Sequence, residues 1–190
     1  MRLALGMLAL ITLAAVSFVN VHQRDPLTVS DVDVTRYMGM WYAVASIPTT
    51  FEKGCVQGTT AYYRLLPNGR VEVTNTCYDA AGKASRVVGR AWIPDSSESG
   101  KLKVSFVRLL GISFFPADYW ILDLAVDYSY AVVGHPEQKF GWILSRTPTL
   151  PDDVLAGIYS RLERKGYRQD QFVPIDQAMH LSKRLTPAGG

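Results

Sequence analysis

Eight short segments rich in apolar or aromatic residues follow one another between residues 40 and 146, with turn residues between them. None carries the spacing of an amphipathic helix. Regularly spaced short strands are typical of an all-β sandwich or barrel, and closing a sheet into a barrel removes its exposed edges. The sequence therefore predicts an eight-stranded antiparallel up-and-down barrel. The predicted strands are residues 40–47, 58–66, 70–78, 85–93, 101–108, 117–125, 128–134 and 139–146.

The clearest turn runs from Leu66 to Arg70, because Pro67 suits the first turn position and Gly69 tolerates a positive φ. A three-residue loop at this place fixes the register of the hairpin. The opposed pairs that it predicts are Leu65–Val71, Tyr63–Val73, Ala61–Asn75 and Thr59–Cys77. Directly opposed residues share one face of the sheet. This face is mostly apolar, so we expect it to point into the barrel.

The same alternation assigns inward-facing residues on the other strands, because charged residues such as Arg90 and Lys103 must face solvent. An eight-stranded barrel is either filled by side chains or lines one small ligand. Small inward residues such as Ala61 and Ala91 favour a cavity. The candidate ligand-binding residues are Ala61, Tyr63, Val73, Asn75, Ala91, Val104, Phe106, Tyr119, Ile121, Phe140 and Trp142.

One helix is predicted after the last strand, over residues 151–165. Pro151 suits the first turn, and two acidic residues follow it near the positive end of the helix dipole. Apolar residues recur along one stripe, which favours packing on the outside of the sheet. Residues 167–175 can add a short strand, and residues 176–190 are predicted to be a flexible tail.

The first 21 residues differ from the rest of the chain. Arg2 is followed by an almost wholly apolar run, which predicts a signal peptide; an uncleaved N-terminal anchor is the alternative. The polar residues 22–30 are predicted to be a linker, so the folded domain is expected over residues 31–175. We expect an exported protein, periplasmic or secreted, or membrane-associated through this segment. It is expected not to be a lipoprotein, because the first cysteine is Cys55.

Charge and motifs exclude several functions. The net charge is +3 and no run of five basic residues occurs, so a nucleic-acid partner is not expected. Two cysteines cannot form a four-cysteine zinc site, and the three histidines lie far apart. No serine-hydrolase, zinc-peptidase, dithiol or phosphate-loop motif is present. The sequence therefore predicts no metal, no cofactor and no catalytic residues.

Three stretches in order over residues 31–175 resemble the lipocalin family. Asp33–Tyr42 contains the family's G-x-W-Y opening, Asp127-Tyr128 resembles its second block, and Leu144–Pro148 resembles its third, Arg-bearing block. Phe51–Cys55 and Trp142–Pro148 are most similar to the bacterial outer-membrane lipocalins and the apolipoprotein D group. The resemblance implies that Trp41 plugs the closed end of the barrel, that Arg146 lies across its ring, and that Gly39 lets the chain enter the first strand.

The resemblance also implies a function. Lipocalins of this kind carry or store an apolar ligand, here expected to be a fatty acid or a lysophospholipid, with a role in envelope lipid maintenance. The apolar segment Leu109–Phe115 is a candidate for contact with a membrane surface, its alternative being local packing. The protein is expected to be a monomer or a weak dimer. Two other functions stay open: an enzyme acting on a lipid-like substrate through Cys55, and a filled barrel that binds proteins through its loops.

Cys55 and Cys77 lie at strand ends on the same side of the predicted barrel. Direct pairing places Cys77 opposite Thr59, so the preceding chain must fold over to bring the sulfurs together. We expect a disulfide, because exported proteins meet an oxidising environment. Two free buried thiols are the alternative.

Overall fold

The computed structural model describes residues 27–109 and 112–185, with the side chains of Phe51, of residues 107–114 and of residues 182–185 left aside. The helices are α1 (Val34–Tyr37), α2 (Asp152–Arg164) and α3 (Ala178–Leu185), with single 3₁₀ turns at Thr50–Glu52 and Gln169–Gln171. The strands are β1 (Gly39–Ser46), β2 (Gln57–Leu65), β3 (Val71–Tyr78), β4 (Ala84–Trp92), β5 (Lys101–Ser105), β6 (Val107–Leu109), β7 (Ile112–Phe114), β8 (Ala117–Leu124), β9 (Tyr130–Gly134), β10 (Gly141–Ser145) and β11 (Val173–Pro174).

Eight strands close into an antiparallel barrel. Their order is β1–β2–β3–β4–β5–β8–β9–β10, and β10 pairs back onto β1. The short β6–β7 hairpin follows β5 and precedes β8, and β11 pairs with β1 at Ala45 and Ser46. The predicted barrel with one helix after its last strand is confirmed, and α3 is an addition.

The first predicted hairpin has the expected register over most of its length. Leu66 N–H donates to the Arg70 carbonyl at 2.8 Å, Gly69 has φ of +76°, and Tyr63 pairs with Val73. The expected Thr59–Cys77 pair is wrong, because the register shifts between Gln57 and Thr60. Gly58, with φ of +62°, lies within this irregularity, and Gln57 pairs with Tyr78 instead.

Two further register shifts reverse which side of a strand faces the interior of the barrel. On β1 the shift places Ala43 inside and Ala45 outside. On β8 it places Asp123 outside, where it pairs with Arg161 of α2, and Leu124 inside. The buried stripe of α2 covers the outward-facing residues. This outer core contains Ala45, Ile47, Leu122, Val132, Ile143, Ile158, Tyr159, Leu162, Tyr167 and Phe172.

The folded unit begins before residue 31, so the predicted linker 22–30 is wrong at its C-terminal end. The Val29 N–H donates to the Ile121 carbonyl at 2.9 Å, and the Val29 carbonyl lies so close to Gly100 that a side chain there would collide with it. Val32 is buried in the inner core. The segment therefore packs across the end of the barrel, a long-range contact that the polar composition of the linker does not show.

The predicted flexible tail, residues 176–190, is wrong for its first ten residues. Gln177 is 4% exposed, and its amide Nε2 donates to the carbonyls of Ala43 at 2.7 Å and Thr59 at 2.9 Å. In α3, His180 lies 5.2 Å from the Tyr42 ring, and its Nε2 is 3.1 Å from the Gly58 carbonyl. These contacts fix the segment on the outside of β1 and β2. Residues 186–190 lie outside the described residues.

In the described part of the chain, no helix is long and apolar enough to cross a membrane. The predicted signal peptide or anchor, residues 1–21, lies outside the described residues and stays a prediction.

Candidate functional site

One end of the barrel is closed by an aromatic and cationic cluster. Trp41 is fully buried, and its Nε1 donates to the Tyr37 carbonyl at 2.9 Å. The Arg146 guanidinium carbon lies 3.7 Å from the centre of the Trp41 ring, and the same group donates to the carbonyls of Met40 (2.9 Å) and Arg36 (2.8 Å). Gly39, with φ of +96°, packs beneath Arg146. These are the positions that the family resemblance implies for Gly39, Trp41 and Arg146.

Three tyrosines meet inside the barrel above this closed end. The hydroxyls of Tyr63 and Tyr119 form a 2.6 Å hydrogen bond, and Tyr37 packs edge-on against Tyr63 with its hydroxyl buried. Burial raises the pKa of Tyr63 to about 12 and the pKa values of Tyr37 and Tyr119 well above their ordinary value. The three side chains therefore stay neutral at physiological pH.

A cavity of about 20 Å³ adjoins the tyrosines, which is room for about one water molecule. Its lining residues come from the N-terminal segment, α1 and the barrel interior. They are Val32, Val34, Tyr37, Met38, Tyr63, Val71, Val73, Ala91, Ser99, Leu102, Tyr119 and Ile121. The closed half of the barrel is thus filled by side chains, as in one of the two alternatives for an eight-stranded barrel.

The other half of the barrel interior is open. Val87 pairs with the inward-facing Asn75, so its side chain points inward, yet it is 50% exposed. Phe106 is 42% exposed and its ring covers the inner face of Gly89. Among the described residues, no group donates a hydrogen bond to the buried Oδ1 of Asn75. A solvent-accessible surface that includes the apolar side chains of Val87 and Phe106 therefore lies between the tyrosines and the mouth of the barrel.

The rim of the mouth combines aromatic rings with one carboxylate. Trp142 on β10 packs against the inner core, and its Nε1 donates to Glu52 Oε1 at 3.0 Å. Thr49 Oγ1 donates to the other carboxylate oxygen at 2.9 Å. The Phe140 ring lies 5.3 Å from Trp142 and 5.0 Å from His135. The β1–β2 loop is therefore held against the β9–β10 side of the mouth.

Cys55 and Cys77 form a disulfide with a Cα–Cα distance of 5.4 Å, as predicted. It joins the end of the β1–β2 loop to β3 at the mouth. Because the chain's two cysteines are bonded to each other, neither offers a free thiol as a nucleophile. Within the described residues, no group of three His, Cys, Asp or Glu side chains is placed to hold a metal ion.

The predicted ligand-binding residues fall into two sets. Ala61, Tyr63, Val73, Ala91, Val104 and Ile121 are buried in the closed half together with the partly buried Tyr119. Asn75, Phe106, Phe140 and Trp142 lie toward the mouth. Sequence reasoning missed Glu52, Tyr37 and Val87. Glu52 and Tyr37 lie outside the strands, so the alternation of inward and outward residues does not apply to them. Val87 lies two residues before Gly89 on the same face of β4 and could have been found from that alternation.

The segment Leu109–Phe115 was expected to be an apolar lip. Its backbone forms most of the β6–β7 hairpin, with Leu109 paired to Ile112, and Leu110 and Gly111 lie outside the described residues. Phe115 is 85% exposed and has a positive φ of +51°. A large apolar side chain therefore projects into solvent beside this hairpin.

A closed β-barrel with one filled end and one open end has the architecture of barrels that hold one small ligand. A family model for a lipocalin-like domain matches residues 32–177. The chain belongs to the lipocalin family, whose members are in general binding and transport proteins for small hydrophobic ligands.

Two relatives place the chain within this family, and a solved structure shows the same fold. It is 37% identical to mouse apolipoprotein D over 163 residues, which covers 81% of this chain and 82% of that protein. It is 33% identical to the outer membrane lipoprotein Blc of Vibrio cholerae over 151 residues, covering 78% and 85%. Insecticyanin from the tobacco hornworm Manduca sexta has the same fold, with a TM-score of 0.63, 24% identity and coverage of 80% and 84%. The expected similarity to outer-membrane lipocalins and apolipoprotein D is confirmed.

Proposed function

We propose that this lipocalin binds the acyl chain of a fatty acid or lysophospholipid in the mouth half of its barrel, and that it carries or stores this lipid in the cell envelope. The observation that carries the proposal is the exposure of two inward-facing apolar side chains, Val87 and Phe106. An acyl chain in the barrel would cover these inward-facing apolar side chains and remove them from water, which is favourable.

The tyrosine layer sets the depth of the proposed site. From Val73 to Cys77 the strand advances about 13 Å, which is about 10 Å along the axis of a tilted barrel. At about 1.25 Å for each carbon of an extended chain, this depth holds about eight methylene groups. Their burial contributes about 6 kcal/mol, and the net binding free energy is smaller because association and ordering of the chain oppose it.

The experiment is displacement of a fluorescent fatty acid from the purified protein by unlabelled fatty acid. Val87→Trp fills the mouth and should weaken binding about tenfold or more, because the indole occupies the space of the chain. Val88→Trp is the matched control: Val88 is the next residue, it is 45% exposed, and it pairs with Thr74 on the outer face. Equal effects of the two substitutions, or no saturable binding by the wild type, would reject the proposal.

We further propose that the protein is exported to the periplasm or secreted, and that Leu109–Phe115 touches a membrane surface, where the lipid is loaded. The similarity to outer membrane lipoproteins and the exposed Phe115 support this. In a flotation assay with anionic vesicles, the wild type should rise with the vesicles and the Phe115→Ser variant should stay in the bottom fraction. Exposed Val126, on the β8–β9 loop, supplies the control substitution Val126→Ser. Equal flotation of the two variants would argue against contact through this segment.

A further inference from the structure

The rim cluster formed by Glu52, Phe140 and Trp142 has the chemistry of a site for an organic cation. We infer that it binds the quaternary ammonium head group of a single-chain lipid, as found in choline-bearing lysophospholipids, while the chain occupies the barrel. The inference rests on the proposed function and adds the head-group class to it.

Glu52 is held in place but not neutralised. Each of its carboxylate oxygens accepts one hydrogen bond, from Trp142 Nε1 and from Thr49 Oγ1. A carboxylate can accept about four hydrogen bonds, so capacity remains. Within the described residues, no Lys, Arg or His lies within ion-pairing distance of it. The rim therefore presents a fixed negative charge.

The cations nearby on the chain do not cancel this charge. Lys139, on the β9–β10 loop, is paired with Glu137 at 2.6 Å. Lys53 follows Glu52 but is exposed, where water and salt screen its field. An incoming anionic head group, such as a fatty-acid carboxylate, is repelled by Glu52, whereas a cationic one is attracted.

Aromatic rings next to the carboxylate supply the second element. The Phe140 and Trp142 rings lie 5.3 Å apart at 44°, and both side chains are partly exposed. The faces of aromatic rings attract organic cations, and quaternary ammonium groups are recognised in this way. A trimethylammonium group cannot donate a strong hydrogen bond, so Glu52 attracts it by charge and keeps its hydrogen bonds from Trp142 and Thr49.

The position of the cluster fits the amphiphile. Trp142 packs on the inner core and so lies above the interior surface proposed for the chain. A chain in the barrel therefore emerges beside the two rings and the carboxylate.

The test compares three probes with the same twelve-carbon chain: dodecyltrimethylammonium and dodecanoate, each below its micelle concentration, and dodecanol below its solubility limit. For the wild type we expect the cation to bind about tenfold tighter than the carboxylate. Glu52→Gln keeps an acceptor for Trp142 and removes the charge, so it should abolish most of this preference. Phe140→Leu should weaken the binding of dodecyltrimethylammonium and leave the binding of dodecanol unchanged.

Asp79→Asn is the matched control, because it removes one negative charge from the β3–β4 loop at the mouth, keeps the oxygen that accepts from the Ala81 and Lys83 N–H groups, and breaks no ion pair with a described residue. It should leave the cation preference intact. Binding of all three probes with equal affinity, or a cation preference that persists in Glu52→Gln, would overturn the head-group assignment and leave chain binding standing. Failure of even dodecanol to bind would reject the proposed function and this inference together.

Discussion

Arg146 is predicted to be one of the strongest single contributors to the stability of the barrel. Its guanidinium carbon lies 3.7 Å from the Trp41 ring centre and its two amino groups donate to the carbonyls of Met40 and Arg36. These two carbonyls belong to the strand β1 and the helix α1, so one side chain of the third family block ties the closing helix to the barrel.

The magnitude follows from these contacts. A hydrogen bond from a charged donor contributes about 1.5 kcal/mol at the low end of its range, which suits a side chain that is only partly buried. The cation–π contact adds about 1 kcal/mol. Arg146→Ala should therefore lower the free energy of unfolding by about 3–4 kcal/mol. For a domain of this size, that loss corresponds to a fall in Tm of about 10 °C.

The assay is urea unfolding followed by tryptophan fluorescence, with Arg70→Ala as the control. Arg70 also lies over an indole, that of Trp92, but at 5.3 Å, and the residue is exposed. Its loss should cost less than about 1 kcal/mol. Arg146→Lys should fall between the two, because an ammonium keeps the charge and cannot reach both carbonyls in the geometry of a guanidinium. A cost below about 1 kcal/mol for Arg146→Ala would refute this account of the closed end.

Three more predictions concern the interior and the mouth. Tyr63→Phe should cost about 1–2 kcal/mol, because it leaves the Tyr119 hydroxyl without its 2.6 Å partner; in urea unfolding the Tyr63→Phe/Tyr119→Phe double variant should cost less than the sum of the single ones, and strict additivity would contradict the pairing. The raised pKa values of Tyr63 and Tyr167, about 12 against about 10 in the unfolded chain, mean that stability is full below pH ~10 and falls as the pH rises toward 12; phenolate absorbance should show these tyrosines ionising late, and their ionisation near pH 10 in the folded protein would contradict the burial. Replacing both cysteines by serine should lower stability by about 3 kcal/mol, since the disulfide closes a loop across a sequence separation of 22; an unchanged urea midpoint would show that the loop is held without it.

Local sequence patterns predicted the strands, the first turn and the outer helix because these depend on residues that are close in the chain. Period-two alternation assigned Tyr63, Val73 and Asn75 to one face, and the structure pairs them as expected. Pro151 and the acidic first turn located α2 to within a residue. The family motifs added Gly39, Trp41 and Arg146, whose mutual contacts span more than 100 residues and have no local signal.

Local sequence patterns could not predict the register shifts or the two terminal segments that pack against the barrel. A single extra residue reverses which side of a strand faces inward, so the alternation of β1 and β8 could not be followed past their irregular points. Val29 and Gln177 are fixed by backbone groups from distant strands, which explains why polar, unpatterned segments are ordered there.

The sequence by itself determined the barrel and the inward-facing residues of its regular strands, since hydrophobic alternation and turn chemistry depend on adjacent residues. Only the tertiary structure decided how that interior is divided. The meeting of Tyr37, Tyr63 and Tyr119 fills one half, and the approach of Glu52 to Trp142, 90 residues away in the chain, builds the rim of the other. Both depend on which strands become neighbours when the barrel closes, and strand closure is a property of the whole chain.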